Sequence, residues 1–122
     1  MAVNISAWLG AGEAISETER AALTWRRIQD KSTTVTFKTA TGATVTPQTV
    51  RVESDTSATP AESAAGVGAR RRVIVFGIRN HATLPDTDIQ DGYRFVWAGD
   101  QYTCVDTILT LGEIQGIFEA TQ

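Results

Sequence analysis

A mainly β fold, a small antiparallel β-barrel of five to six strands with one short N-terminal helix and a long inserted loop, is what this chain predicts. Three observations lead there. Apolar and polar residues alternate with period two over most of residues 32–120. Turn signals at Thr41-Gly42, Gly99-Asp100 and Leu111-Gly112 separate the alternating runs. Helical spacing is confined to one segment near the start. At 122 residues the chain fits a single domain, 1–122, able to bury roughly two-thirds of its unfolded surface. Its parts are an N-terminal segment 1–16, a helix 17–29, a barrel 32–120 and a loop 54–69.

The helix is signalled by Ser16 and Glu19, the S-x-x-E of a capping box, followed by a run from Arg20 to Gln29. Ala21, Ala22, Trp25 and Ile28 define its apolar stripe, with Arg20, Thr24 and Arg27 opposite. So narrow a stripe suits a helix laid on the side of a β-domain. Period two then takes over: Thr33, Val35, Phe37 and Thr39 lead to the Thr41-Gly42 turn and the return strand Thr44-Val45-Thr46. Apolar parity shifts from odd at Val45 to even at Val50 and Val52, with Pro47 between, which predicts a one-residue bulge on an edge.

In the segment 54–69 Val67 is the only large apolar residue. It has little to contribute to a core, and its length marks either a plain surface loop or an arm that orders against a neighbour. The run from Arg70 to Arg79 is apolar on both faces at its centre, which places it mid-sheet. Arg70, Arg71 and Arg72 at its foot read as a solvated edge, as partners for the chain's own carboxylates, or as a nucleic-acid contact. Tyr93, Phe95 and Trp97 share a face, and Tyr102, Cys104 and Ile108 continue it beyond the turn at Gly99-Asp100. Asp106 interrupts that set, implying an edge, a bulge or a buried partner. Ile114, Ile117 and Phe118 end the chain as a closing strand.

The residues that would carry chemistry do not combine into a motif. One cysteine and one histidine exclude a disulfide framework and a Cys/His zinc site. Asp86, Asp88 and Asp91 lack the central Gly and terminal Glu of a calcium loop. Gly66-Val67-Gly68 does not extend to a phosphate-binding fingerprint. His81 has no nucleophile elbow beside it, and Cys104, in mid-strand, reads as a small core hydrophobe. We therefore expect no catalytic residues, metal or cofactor, and no enzyme. With 14 acidic against 11 basic side chains and a net charge of -3, the chain is not suited to gripping nucleic-acid phosphates. Residues 1–12 show neither a targeting pattern nor a membrane span, so synthesis in the cytoplasm and no membrane partner are expected.

What remains points to assembly. Trp8 and Leu9 lie in an apolar N-terminal segment and Phe118 in an apolar C-terminal end, which makes the three candidate interface residues. Alternatively, Trp8 lids the chain's own barrel.

The run from Ile89 to Val105 resembles the I-x-x-G-D-x-F-x-x-x-G-x-x-Y-x-V hairpin of tailed-phage head completion proteins, the head-tail joining or stopper family. Gly92, Phe95, Gly99, Tyr102 and Val105 match in type, and Tyr93 stands where the family often carries Asp. The resemblance implies a β-barrel protein of the virion neck, forming a homo-oligomeric ring of six or twelve copies. A portal or adaptor protein would lie on the head side and a tail tube or terminator protein on the tail side, with DNA passing through the channel without specific binding. In this family a long loop between early strands reaches the channel. Here that loop would carry Glu53, Asp55 and Glu62, acids that repel phosphates, next to Arg70, Arg71 and Arg72, or it would clasp the adjacent subunit. Alternatives are a tail terminator or tail completion protein and, from another class, a small ligand-binding β-barrel or hydrolase.

Overall fold

A computed structural model describes residues 16–55 and 71–120. Helix α1 (Glu17–Asp30) is followed by six strands, β1 (Thr33–Val35), β2 (Gln48–Ser54), β3 (Arg72–Ile78), β4 (Arg94–Trp97), β5 (Asp100–Thr110) and β6 (Glu113–Ala120). All neighbours run antiparallel, in the order β1-β2-β3-β6-β5-β4. The two ends of this sheet meet just beyond β1. Lys38 donates to and accepts from the backbone of Arg94, both at 2.8 Å, and this bridge nearly closes the barrel. The expected mainly β barrel with one short helix is therefore the observed fold.

The helix begins as its sequence dictates. The Ser16 hydroxyl accepts from the Glu19 N–H and the Glu19 carboxylate accepts from the Ser16 N–H, which satisfies two amides that a helix start leaves open. Its buried stripe, however, is Ala21, Thr24 and Ile28, with Ala22 exposed. Thr24 was expected on the far side. It is buried because its hydroxyl donates to the carboxylate of Glu113 on β6, 3.4 Å away, a partner that helical periodicity does not reveal. The same carboxylate accepts from Arg27 and from Gln115, so a buried acid is satisfied from both the helix and the sheet.

β3 lies between β2 and β6, as its doubly apolar centre implied. Val73 and Val75 face the core, while Ile74 and Phe76 are half-buried on the helix side, where the Arg27 guanidinium lies 5.4 Å from the Phe76 ring centre. The hairpin from β1 to β2 carries the predicted slip. Lys38 opposes Thr44 and Val35 opposes Gln48, so the return strand holds one extra residue between them, where Pro47 stands. Regular β1 is shorter than the expected alternation from Thr33 to Thr39; beyond the slip the hairpin continues through Phe37 to Val45 and Thr39 to Ala43, while the backbone of Lys38 itself bonds to Arg94.

Inside, aromatic rings fill the barrel. Phe37 stacks on Phe118 at 5.6 Å, and Phe95 meets both edge-on, at 5.5 and 5.0 Å. Tyr93 and Tyr102 extend the cluster, and aliphatic residues including Val50, Val52, Val73, Val75 and Ile114 complete it. Such a core is packed side chain to side chain, as small barrels generally are.

Candidate functional site

Two parts of the molecule merit consideration as sites: the charged end where β2 leaves the sheet and β3 enters it, and the far half of β5. The first collects most of the charged residues singled out from the sequence. Ser54 pairs with Val73, and the Asp55 N–H donates to the Arg72 carbonyl at 2.9 Å, so Glu53, Asp55, Arg71 and Arg72 share one end of the barrel. The arginines are committed to the chain's own carboxylates. Arg72 reaches Glu119 through Nε at 2.9 Å and Nη2 at 2.8 Å, and Arg71 reaches Asp100 at 2.6 Å. Glu53 in turn pairs with Arg51, which also donates to the Arg27 carbonyl at 2.9 Å. Of the three readings of this arginine run, partnership with the chain's own acids is what the geometry supports for Arg71 and Arg72. Glu62, Arg70, Trp8, Leu9 and most of the loop 54–69 lie outside the described residues.

Phe118 corrects an expectation. It is fully buried at the centre of the aromatic cluster, so its side chain belongs to the chain's own core rather than to a contact surface. β6 runs between β3 and β5, and alternation along it turns Ile114, Phe118 and Ala120 inward.

The hairpin that resembles the head completion motif is used structurally throughout. Gly99 lies at φ +86° in the two-residue turn, after Ala98 at φ +52°, a conformation that requires left-handed backbone at both positions. Phe95 and Tyr102 oppose each other across the strands and both point inward. Gly92 donates to the Cys104 carbonyl at 2.9 Å. Val105 is the exception: it occupies the bulge between Cys104 and Asp106 and is exposed. Of the three outcomes that Asp106 allowed, the bulge is the one observed at this point.

His81 and Cys104 have plain surroundings. The His81 Nδ1 accepts from the backbone N–H groups of Thr83 and Leu84, both at 3.2 Å, and its ring meets Trp25. Burial pushes the Cys104 thiol up to about 12, and the neighbouring Asp91 and Asp106 carboxylates add to that, outweighing a backbone hydrogen bond at Asp106 that acts in the opposite direction. So placed, it is a poor nucleophile. Tyr93 is also raised from its ordinary value, by burial and by its hydrogen bond to the Asp88 carboxylate. Among the described residues no group of three or more His, Cys, Asp or Glu is placed to hold a metal ion. No described helix is long and apolar enough to cross a membrane.

The second site was missed in the sequence. β4 accompanies β5 only as far as Arg94 opposite Thr103, and one further pair of contacts joins Gly92 and Tyr93 to Cys104. Beyond the bulge, β5 pairs with β6 alone, from Asp106 opposite Ile117 to Thr110 opposite Glu113. Its other edge faces a groove of about 570 Å³, whose opposite wall is the 86–91 stretch. Thr107, Leu109, Ile89 and Ile114 are among the residues lining it. Leu109 is 58% exposed at the groove, while Ile108 and Leu111, also substantially exposed, lie outside its lining. Ile108-Leu109 side by side, followed by Leu111, was the available signal, but an apolar pair in a strand is equally compatible with burial on both faces.

Comparison with protein-family models, with curated proteins and with solved structures finds no match in any of the three.

Proposed function

We propose that this chain is a structural virion protein of a tailed phage, forming a ring in the head-tail connector that closes the DNA-filled head and offers the tail its attachment surface. The observation that carries the reading is the hairpin from Ile89 to Val105, which resembles the head completion motif and whose glycines and aromatics occupy turn and core positions. Two features support it. The barrel interior is filled by rings, which leaves the outer surface as the part that meets partners. Exposed Leu23, Val96, Ile108, Leu109 and Leu111 supply apolar area for contacts between copies.

In this reading the ring sits in the neck, between a portal or adaptor protein and a tail tube or terminator protein. DNA passes without being gripped, consistent with Arg71 and Arg72 being held by Asp100 and Glu119. The test is light scattering and negative-stain microscopy on the purified full chain. Closed rings of six or twelve copies of the 13.1 kDa subunit are expected, and a strictly monomeric chain at every concentration up to the millimolar range overturns the proposal. Charge-neutral substitution of Glu53, Asp55 and Glu62 together is expected to leave rings intact and to alter DNA retention or ejection. Unchanged virions would reject the channel role of these acids.

A further inference from the structure

The far half of β5 leaves one backbone edge open toward the groove. A two-residue turn makes Thr110 and Glu113 a hydrogen-bonded pair, so alternation along β5 directs the backbone groups of Thr107 and Leu109 away from β6 and into the groove. The Thr107 N–H is met there by the Asp106 carboxylate at 2.9 Å, and Arg79 donates to the Thr110 carbonyl at 3.0 Å. Among the described residues, no strand pairs with this edge. An exposed strand edge with apolar neighbours is a template for another chain unless it is blunted. Here a single aspartate is the only acid on it. The 86–91 stretch stands across the groove from this edge.

The chain itself contains a segment of the required kind. In Ala2-Val-Asn-Ile-Ser-Ala-Trp-Leu9, Val3, Ile5, Ala7 and Leu9 alternate with Asn4, Ser6 and Trp8, and no residue is charged. A strand of eight residues spans about 23 Å, more than the roughly 17 Å from Val105 to Thr110. The apolar parity suits a floor of Leu109, Ile89 and Ile114, and the lack of charge suits walls that already hold Asp86 and Asp91. The other stretch outside the described residues, 56–70, has Val67 as its only large apolar side chain.

The geometry of attachment favours exchange between copies. Ser16 lies beside the far end of the edge, since the Glu17 carboxylate accepts from the Gly112 N–H at 3.4 Å. A segment folding back from there onto its own β5 by the short route would run parallel to it, as the one parallel strand in an antiparallel sheet. An antiparallel arrangement within one chain would need residues 10–15 to retrace the whole edge, using most of their roughly 20 Å reach. A neighbouring copy is under neither constraint. We infer that residues 2–9 of one copy add as a strand to the β5 edge from Val105 to Thr110 of the next, linking subunits head to tail. This deepens the ring reading and rests on its self-association.

The experiment uses the full chain with a benzophenone amino acid at Gln90, on the wall facing the β5 edge. Equal amounts of 15N-labelled and unlabelled protein are unfolded together, refolded and irradiated, and the crosslinked peptides are identified by mass spectrometry. Peptides joining position 90 to residues 1–19 in mixed heavy-light pairs are expected. Leu109→Pro, which removes an outward N–H, and Ile5→Asp are each expected to lower their yield at least tenfold, with far-ultraviolet circular dichroism unchanged. Purely heavy-heavy and light-light pairs would show folding back within one chain and overturn the proposal, as would crosslinks to any other segment or none. Rings that persist without the mixed crosslink leave the ring reading intact and remove strand exchange. Mixed crosslinks in open chains that never close support strand exchange and remove the ring.

Discussion

The two halves of β5 belong to one strand and live in different environments. From Tyr102 to Cys104 the strand is paired on both sides, and Tyr102 and Cys104 are buried against Phe95 and the aromatic cluster. From Asp106 to Thr110 it keeps only β6, and its side chains are mostly exposed. The bulge at Val105 is the boundary between them. The near half is held by packing, where each lost methylene is felt, whereas the far half is held by one hydrogen-bonded ladder and leaves its other edge free. Core packing and an open edge are thus separated along eleven residues.

That contrast can be broken first at its buried side. Phe118→Ala, opposite Cys104 on β6, removes the ring on which Phe37 stacks and is expected to cost about 3–5 kcal/mol, read as a drop in the denaturant midpoint. A loss below about 1 kcal/mol would show that the aromatic cluster is not the core. Gly112→Ala tests where the far half is anchored. Gly112 lies at φ +73°, and a Cβ there would stand 2.4 Å from the Ala21 backbone nitrogen, so at least about 2 kcal/mol is expected, with the helix displaced from the β5–β6 turn. Ser16→Ala removes the cap of that helix and is expected to cost about 1 kcal/mol, seen as fewer protected amides in the first turn of α1 by hydrogen exchange.

Cys104 sharpens the boundary through pH. Its thiol is raised from 9.0 to about 12 by burial, so the unfolded chain ionises first as pH rises. The thiol therefore costs no stability below about pH 9 and progressively more between there and about 12. The margin of the native chain over Cys104→Ala is expected to shrink between pH 9 and 11 in thermal melts. A constant margin would place the thiol in solvent. The smallest effect on stability is expected in the far half: Leu109→Asn should change it by less than about 0.5 kcal/mol while weakening association between copies in light scattering. Equal association would remove Leu109 from the contact.

Local patterns were legible where the partner is near in sequence. The capping box of α1 needs only Ser16 and Glu19, and the slip near Pro47 shows in the parity of Val45 against Val50; the turn expected at Gly99-Asp100 lies one residue earlier, at Ala98-Gly99, because Trp97 pairs with Asp100. The inward set Phe37, Phe95, Tyr102 and Cys104 followed from period two. Thr24 was misread because what buries it, Glu113, lies 89 residues away. Phe118 was assigned to a surface because the rings that bury it, Phe37 and Phe95, lie far away in the chain.

By itself, the sequence determined most of the elements: which segment is a helix, roughly where strands turn, and which parity of most strands is apolar, though not that the bulge at Val105 takes Ile108 off the face of Tyr102 and Cys104. Those are consequences of backbone sterics and of side-chain alternation, which act over a few residues. Only the tertiary structure decided how the sheet closes, through Lys38 and Arg94, and that β4 stops short of the end of β5. Strand pairing joins residues far apart in the chain, and no local pattern records which edge is left without a partner.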